Sequence, residues 1–566
     1  MNSSSLKLVS SQLKLLPSTT DAEISAYEIS RASAMRNEPF SFQILYRSEP
    51  GVQFRPVSIA VEADGLPASG WRVDWVPVMH AANDYKERGY VSDLPGLYPD
   101  LLMPRPLKPE IINKGGMNYE KDVENLLNST GENYQAVWVT LNPDSETLSA
   151  GSHKIGVKLI NLSDLSLLGE ATLEFEVIDA ILPAQSEYYT NWFHVDSLCL
   201  SHGVEPYTEK FYEIFRTYIK NAVRHRMNTL LLPAFTPMLD TPRGFERMNV
   251  QLVDIRRAGD GWEFCFDKLR RFIREADACG IRVFEHCHLF SQWGAEHAPN
   301  IYDTDGNLLF GWNTDATGDE YQRFIRAYLS AFLAFAKGEG LTPDRLIFHI
   351  SDEPTDKQLE SYKKAFDVVS DLLSEYNMID ALFDVSFWKT GLVKQPVAYI
   401  HNADSFDAEC PAFWLYYTCG TYARNNSNRL ISNTAARTRV LGLQMYRYRA
   451  KGFLHWGYNY YFDRMSEGFI DPKSYPCGYK LLPGCAYLAY PTRNGAAPSI
   501  REEHMREAFD DIRALKLLEG LIGREAAIGF CEERLGDRIN STLIPEGNAL
   551  FELRENINLL IKEKTS

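Results

Sequence analysis

A chain of 566 residues is too long for a single hydrophobic core and implies two or three domains. With 45% hydrophobic and 24% charged residues it has the composition of an ordinary soluble globular protein. Its 59 basic against 75 acidic residues leave a net charge of −16, which disfavours nucleic acid and anionic membrane as partners.

The stretch from Met1 to Pro17 lacks a basic region followed by an apolar run, so no signal peptide is expected. The nine cysteines are scattered and never spaced Cys-x-x-Cys, which predicts reduced thiols and a cytoplasmic location. No apolar run reaches the roughly 18 residues that a membrane-spanning helix needs, so membrane insertion is not expected.

Residues 1–183 read as an all-β domain, a β-sandwich. Alternating segments such as Ser41–Tyr46, Trp71–Val78 and Ala136–Thr140 are separated by Pro, Gly and Asn turns. Lys154–Ile160 is expected to pair with Thr172–Val177 across the turn near Leu168 and Gly169. Asn83–Glu132, rich in Pro, Gly and Asn, reads as a long excursion, and Ile181–Ala184 as a linker.

Over 184–498 the rhythm changes to strand followed by amphipathic helix. Strands are predicted at Tyr188–Val195, Thr229–Leu232, Ile281–His286, Leu346–Ile350, Ala381–Ser386, Val397–His401, Phe413–Tyr417 and Gly452–Trp456. Helices are predicted at Tyr207–Arg226, Phe266–Ala278, Asp319–Ala336, Lys357–Tyr376 and Asn433–Arg449. Eight strands in this alternation describe a (β/α)8 TIM-type barrel with irregular later units. A loop over 464–498 leads to a capping box, Ser499-x-x-Glu502. The box opens a C-terminal helical extension over 499–566, with apolar Met505, Ala508, Ile512 and Leu515.

In such a barrel the active site lies at the carboxyl ends of the strands. The fourth strand ends in Ser351-Asp352-Glu353-Pro354. Two adjacent carboxylates beside a low-dielectric core repel each other and are desolvated, which drives their pKa values apart and suits acid/base chemistry. A helix N-cap is the plain alternative. Pro354 disfavours helical backbone at Glu353, so the pair is expected to stay extended. The other strand ends offer His194 and Asp196, His286 and His288, Trp388, Asn402, Tyr416 or Tyr417, and the cluster His455-Trp456-Gly457-Tyr458-Asn459. Aromatic faces, amides and imidazoles around one carboxyl pair suit a neutral sugar ring. Tyr416 and Tyr417 point opposite ways on a strand, so at most one faces the pocket. We take Tyr417 as the candidate, while Trp456, His194 and His286 also have a purely structural reading.

The acidic pair in Ile350–Pro354 resembles that of the catalytic domain of glycoside hydrolase family 123. So do Lys451–Asn459, Tyr490-Pro491 and the pattern from Pro498 to Ala508, while Arg36-Asn37-Glu38 with Ser41-Phe42-Gln43 resembles the accompanying sandwich domain. The resemblance implies an exo-acting, retaining N-acetyl-β-galactosaminidase that releases β-linked GalNAc from a glycan or glycosphingolipid oligosaccharide by substrate assistance, with no cofactor. Carried over by position, Glu353 is the general acid and later the base. Asp352 orients the 2-acetamido group, whose oxygen attacks the anomeric carbon. Adjacent residues are also poorly placed to hold opposite faces of a sugar, as an inverting pair roughly 6.5–9.5 Å apart must. The remaining candidates, His194, Asp196, His286, His288, Trp388, Asn402, Tyr417, Trp456, Tyr458 and Asn459, become substrate-binding residues, with Gly457 letting the backbone pass close to the ligand.

Three rival readings stand beside this one. His286-Cys287-His288 places two imidazoles on one strand face, where Asp352, His401 and Asp463 complete a metal-dependent hydrolase site. The second is a glycan-binding protein without activity. The third is a β-N-acetylhexosaminidase with another sugar preference. A homo-oligomer is compatible with all of them.

Overall fold

The computed structural model describes residues 5–82, 87–107, 127–418, 425–475 and 481–565. The amino-terminal region is built on two five-stranded sheets. One has the order Ser5–Ser10, Phe40–Arg47, Gln135–Leu141, Ala68–Val78, Gly96–Arg105. The other has the order Arg31–Met35, Leu167–Ile178, Gly151–Asn161, Arg55–Glu62, Leu127–Ser129. Alternate residues of the first (Phe42, Ile44, Val137, Val139) meet alternate residues of the second (Ile59, Val157, Leu159, Phe175) in one buried cluster. The period of two seen in the sequence is therefore the inner face of a packed pair of sheets. The expected pairing of Lys154–Ile160 with Thr172–Val177 is present, with Lys154 opposite Glu174. Within the excursion over Asn83–Glu132 lie the strand Gly96–Arg105 and the edge strand Leu127–Ser129. Residues 83–86 and 108–126 of that excursion, and 476–480 of the loop expected over 464–498, lie outside the described residues.

Eight parallel strands then close into a barrel: β1 (Tyr188–Asn191), β2 (Thr229–Leu232), β3 (Val283–His286), β4 (Leu346–Phe348), β5 (Asn377–Leu382), β6 (Gln395–Tyr399), β7 (Trp414–Tyr416) and β8 (Gly452–His455). The ring closes where β8 pairs with β1, Leu454 beside Thr190. Each strand is followed by helix: α1 (Glu209–Arg224), α2 (Asp267–Cys279), α3 (Asp319–Gly338), α4 (Leu359–Val369), the single turn Val385–Trp388, α5 (Ala403–Glu409), α6 (Leu441–Arg447) and α7 (Ile500–Ile522). The long helices are amphipathic. In α1, Phe211, Phe215, Tyr218 and Ala222 recur at helical spacing and are buried, and the Thr208 hydroxyl caps the Phe211 amide.

Several expected strands end earlier: β1 stops at Asn191 rather than Val195, β6 at Tyr399 rather than His401, and β7 and β8 one residue early, at Tyr416 and His455. β4 stops at Phe348 rather than Ile350, and β5 covers Asn377–Leu382 rather than Ala381–Ser386. Ser386, Phe387 and Trp388 form a helical turn because the Asp384 side chain accepts a hydrogen bond from the Ser386 amide.

Helix α7 joins the two halves of the molecule. Its first part packs on α1, where Glu502 accepts from Asn221 at 2.8 Å, and its Arg501 forks onto Asp100 of the strand Gly96–Arg105. Ser499 caps it as expected, but the Glu502 carboxylate turns to Asn221 and Tyr458 instead of closing the box. Two further helices, α8 (Arg524–Leu535) and α9 (Ala549–Thr565), pack against α7. Among the described residues no helix is long and apolar enough to cross a membrane.

Candidate active site

At the end of β4 the chain leaves the ladder but stays pinned to the loop after β3. The carbonyls of His349, Ile350 and Asp352 accept from the amides of Leu289, Phe290 and Trp293, the last at 2.9 Å. Ser351 donates its hydroxyl to the Ser291 carbonyl at 2.8 Å. Held this way, Glu353 is not extended as expected but sits at φ 44, in the left-handed region. Pro354 disfavours the right-handed helical region, and the surrounding hydrogen bonds settle the remaining choice. Strain that the surroundings over-determine in this manner clusters at functional sites.

Both carboxyl groups of the pair are pushed upward. Burial lifts Asp352 well above the ordinary carboxylate range, the charge of Glu353 adds to it, and His349 pulls the other way. Burial also lifts Glu353, against the hydrogen bond that the Tyr416 hydroxyl donates to its Oε1 at 2.8 Å. Two such groups side by side hold a proton where exposed carboxylates hold none.

Beneath the pair lies a buried relay that sequence reasoning did not find. His349 Nε2 donates to Glu285 Oε1 at 2.6 Å, and its Nδ1 lies 3.4 Å from Asp380 Oδ1. Trp192 and Thr190 of the first strand's end donate to the same Glu285 carboxylate at 2.6 and 2.8 Å, and the Tyr362 hydroxyl donates to Asp380. Burial works against a charge on His349, but hydrogen bonds from its ring to Asp380 and Glu285 prevail and raise it to about 10. The available signal was a polar residue in the middle of an apolar strand, Glu285 in β3 and Asp380 in β5.

The other sequence candidates fall into two groups. In the first, His288 packs edge-on to Trp192 and 4.6 Å from the His349 ring, and burial holds it neutral. Its Nε2 is buried without a hydrogen-bond partner among the described residues, and with Thr236, Leu239 and Gln292 it lines a small cavity. Trp456 is half-buried and packs edge-on to Tyr460 at 4.9 Å. Trp388 is half-buried against the core, and Asn402 donates its amide to the Phe383 carbonyl.

The second group is structural in its contacts and corrects several expectations. His286 faces outward, bonded to the Tyr328 hydroxyl of α3 at 2.7 Å and packed on Phe332. The strand ends at His286, so its i, i+2 relation to His288 does not persist, and the two imidazoles do not share a face. Among the described residues no group of His, Cys, Asp and Glu is arranged to hold a metal. His194 bonds the Trp456 carbonyl at 2.9 Å, and Asp196 takes both arms of Arg247 at 2.8 Å. Tyr417 points into the outer layer toward Met505, and Tyr416 is the tyrosine that reaches the pair. Tyr458 is buried among Asn221, Tyr218 and Glu502 rather than at a rim. Asn459 clamps the backbone of His194 through both ends of its amide. Gly457 is needed because a Cβ would lie 2.2 Å from the Ala486 carbonyl oxygen, so the close approach is to the chain itself.

Residues 192–518 match the sequence description of the glycoside hydrolase 123 catalytic domain. This chain belongs to glycoside hydrolase family 123. A family 123 glycoside hydrolase from Clostridium perfringens, described for glycolipid glycan hydrolysis, is similar over 99% of this chain and 97% of its own, with a TM-score of 0.71 at 13% identity. At that identity the likeness establishes the shared fold, sheets and barrel together. An Ig-like-domain-containing GH10 xylanase from termite gut aligns over 86% of this chain and 100% of its own, with a TM-score of 0.33 at 10% identity. No curated protein sequence matches the chain. As a member of family 123, the protein is a glycosidase, and its substrate is a glycan.

Proposed function

We propose that the protein is a retaining, exo-acting N-acetyl-β-galactosaminidase that works by substrate assistance, with Glu353 as general acid and base and Asp352 as the group that orients the acetamido arm. The observation that carries this reading is the adjacent, half-buried Asp352–Glu353 pair, with both pKa values raised and neither residue salt-bridged among the described residues. One strand end cannot hold both faces of a sugar, so the nucleophile must come from elsewhere, and the substrate's own acetamido oxygen supplies it. When that arm binds, its N–H donates to Asp352 and favours charge there. The proton the pair holds then resides on Glu353, where the leaving oxygen needs it. The acetamido oxygen closes on the anomeric carbon as the glycosidic bond breaks and Glu353 gives up its proton. Water then opens the oxazolinium ion as Glu353 takes a proton back, returning the β configuration.

His349, held cationic by Glu285 and Asp380, acts as a positioning residue that favours a charged Asp352. His288 and Trp456 are the candidates for contacts to the sugar itself, one a buried polar tip and the other an apolar wall. The Clostridium perfringens enzyme is described for glycolipid glycan hydrolysis, which supports the glycan of a glycolipid as the substrate class here. The test is a panel of p-nitrophenyl glycosides including both β-N-acetylhexosaminides, with the product's anomeric configuration followed by NMR. Release of β-GalNAc with retention supports the reading, and an inverted product or indifference to the acetamido group overturns it.

A further inference from the structure

We propose that Trp293 and Phe383 form an aromatic rim that receives the leaving saccharide of the glycan, one on each side of the Asp352–Glu353 pair. The proposal extends the glycosidase reading above and rests on it. In the barrel β3, β4 and β5 are consecutive, so the loop after β3 and the end of β5 flank the acids on β4. Trp293 lies in the first of these and Phe383 directly follows β5. Their side chains are 43% and 45% exposed, and neither belongs to the barrel's hydrophobic core.

Trp293 is held where it is at a cost. It adopts φ 57, a left-handed conformation unfavourable for a bulky residue, in the loop between His288 and Ala298. Its amide donates to the Asp352 carbonyl at 2.9 Å. The next residue, Gly294, donates to the Ser351 hydroxyl at 3.2 Å and accepts from Ser361 at 2.6 Å. A glycine would satisfy the same backbone without strain, so the ring needs a reason of its own. Packing is a weak reason, because 43% of the residue remains exposed and it lies outside the barrel's core cluster.

Phe383 is tied to the acid by rings. It stacks on Tyr399 at 5.0 Å and 21°, Tyr399 meets Tyr416 edge-on at 5.4 Å, and Tyr416 donates to Glu353. A general acid protonates the oxygen that joins the departing unit, so that unit lies on the acid's side of the pocket. A saccharide there presents apolar C–H faces, which aromatic rings stack against while its hydroxyls stay in water.

The test uses the full-length protein and three substrates: methyl β-GalNAc, octyl β-GalNAc and a disaccharide of β-GalNAc on a second hexose. All three leave as unactivated alcohols that take their proton from Glu353, so each depends on the acid. Trp293→Ala and Phe383→Ala should each lower kcat/KM for the disaccharide by roughly three- to tenfold relative to the methyl glycoside, chiefly through KM. Trp293→Phe should restore most of that loss. Trp293→Gly, which keeps the backbone conformation, should lose as much as Trp293→Ala. Equal losses on methyl glycoside and disaccharide would overturn the proposal and make Trp293 a positioning residue for Asp352. A larger loss on the octyl glycoside would overturn it in favour of a lipid-chain contact. If the wild type cleaves none of the three but cleaves another glycoside, the sugar assignment fails, and the same ratio measured on that sugar's methyl glycoside and disaccharide still decides the rim.

Discussion

Asp510 and Glu503 of helix α7 and the two acids at the end of β4 are of the same two kinds and are all desolvated, yet the first two are shifted down and the second two up. Asp510 of α7 lies between Arg226 at 2.7 Å, Arg513 at 2.7 Å and Arg506 at 3.1 Å. Burial alone would raise it, but the three guanidinium groups prevail and hold it at about 2. Glu503, against Arg506 and His225, is likewise held below the ordinary range despite its burial. Asp352 and Glu353 have each other and a tyrosine hydroxyl, and both rise. At Asp510 and Glu503 arginines outweigh burial and keep the acids charged, whereas Asp352 and Glu353 have no arginine beside them among the described residues and stay available for proton transfer.

The comparison can be broken most severely at Glu353. Glu353→Gln should cost about 10²–10⁴-fold in turnover of a substrate with a poor leaving group, and less with an activated aryl glycoside. Near-normal rates on natural glycans would remove Glu353 from the role of acid.

At the junction, Arg501→Ala strands buried Asp100 and the carbonyls of Gly484 and Tyr487. A loss of roughly 3–5 kcal/mol in urea unfolding is expected, against a much smaller loss for Asp100→Asn, which keeps the site's shape. Equal losses would mean that the charge itself carries the contact.

Asp352→Asn should lower kcat by about 10–100-fold, the worth of one charge-assisted hydrogen bond, and a thiazoline analogue of the cyclised intermediate should bind the variant less tightly than the wild type. The same substitution should raise the melting temperature at neutral pH. A carboxyl whose pKa is raised on folding weakens the fold as pH rises above 3.8, and the amide removes that penalty. Asp510 has the opposite sign, stabilising above 3.8 and losing that contribution as pH falls toward about 2.

His349 sharpens the comparison with a smaller effect. Its folded-state pKa of about 10 lies above the ordinary 6.5, so its stabilisation is complete below pH 6.5 and is lost as pH rises through 10. His349→Gln should flatten the alkaline decline of melting temperature and move the pH–rate profile. A profile identical to the wild type's would confine the relay to a structural role. Trp456→Ala, the mildest change, should weaken GalNAc inhibition by the equivalent of about 0.5–1.5 kcal/mol.

The sequence by itself determined the period-two sheets, the strand–helix alternation of the barrel and the carboxyl pair at the end of its fourth strand. These are local: hydrophobic period and an acidic pair after an apolar run can be read without knowing what packs where. Which side chain faces the pocket was decided only by the tertiary structure, because a strand's facing depends on where it ends. β3 ending at His286 sends that ring outward and leaves Glu285 inside, and β7 ending at Tyr416 gives that tyrosine, not Tyr417, to Glu353. Tyr458 and Asn459 belong to a segment that looked like one ligand-facing cluster, yet partners from α1, α7 and the loop at His194 claimed their polar atoms. The relay Glu285–His349–Asp380 joins three strands and exists only when β3, β4 and β5 lie side by side, a proximity that no spacing along the chain encodes.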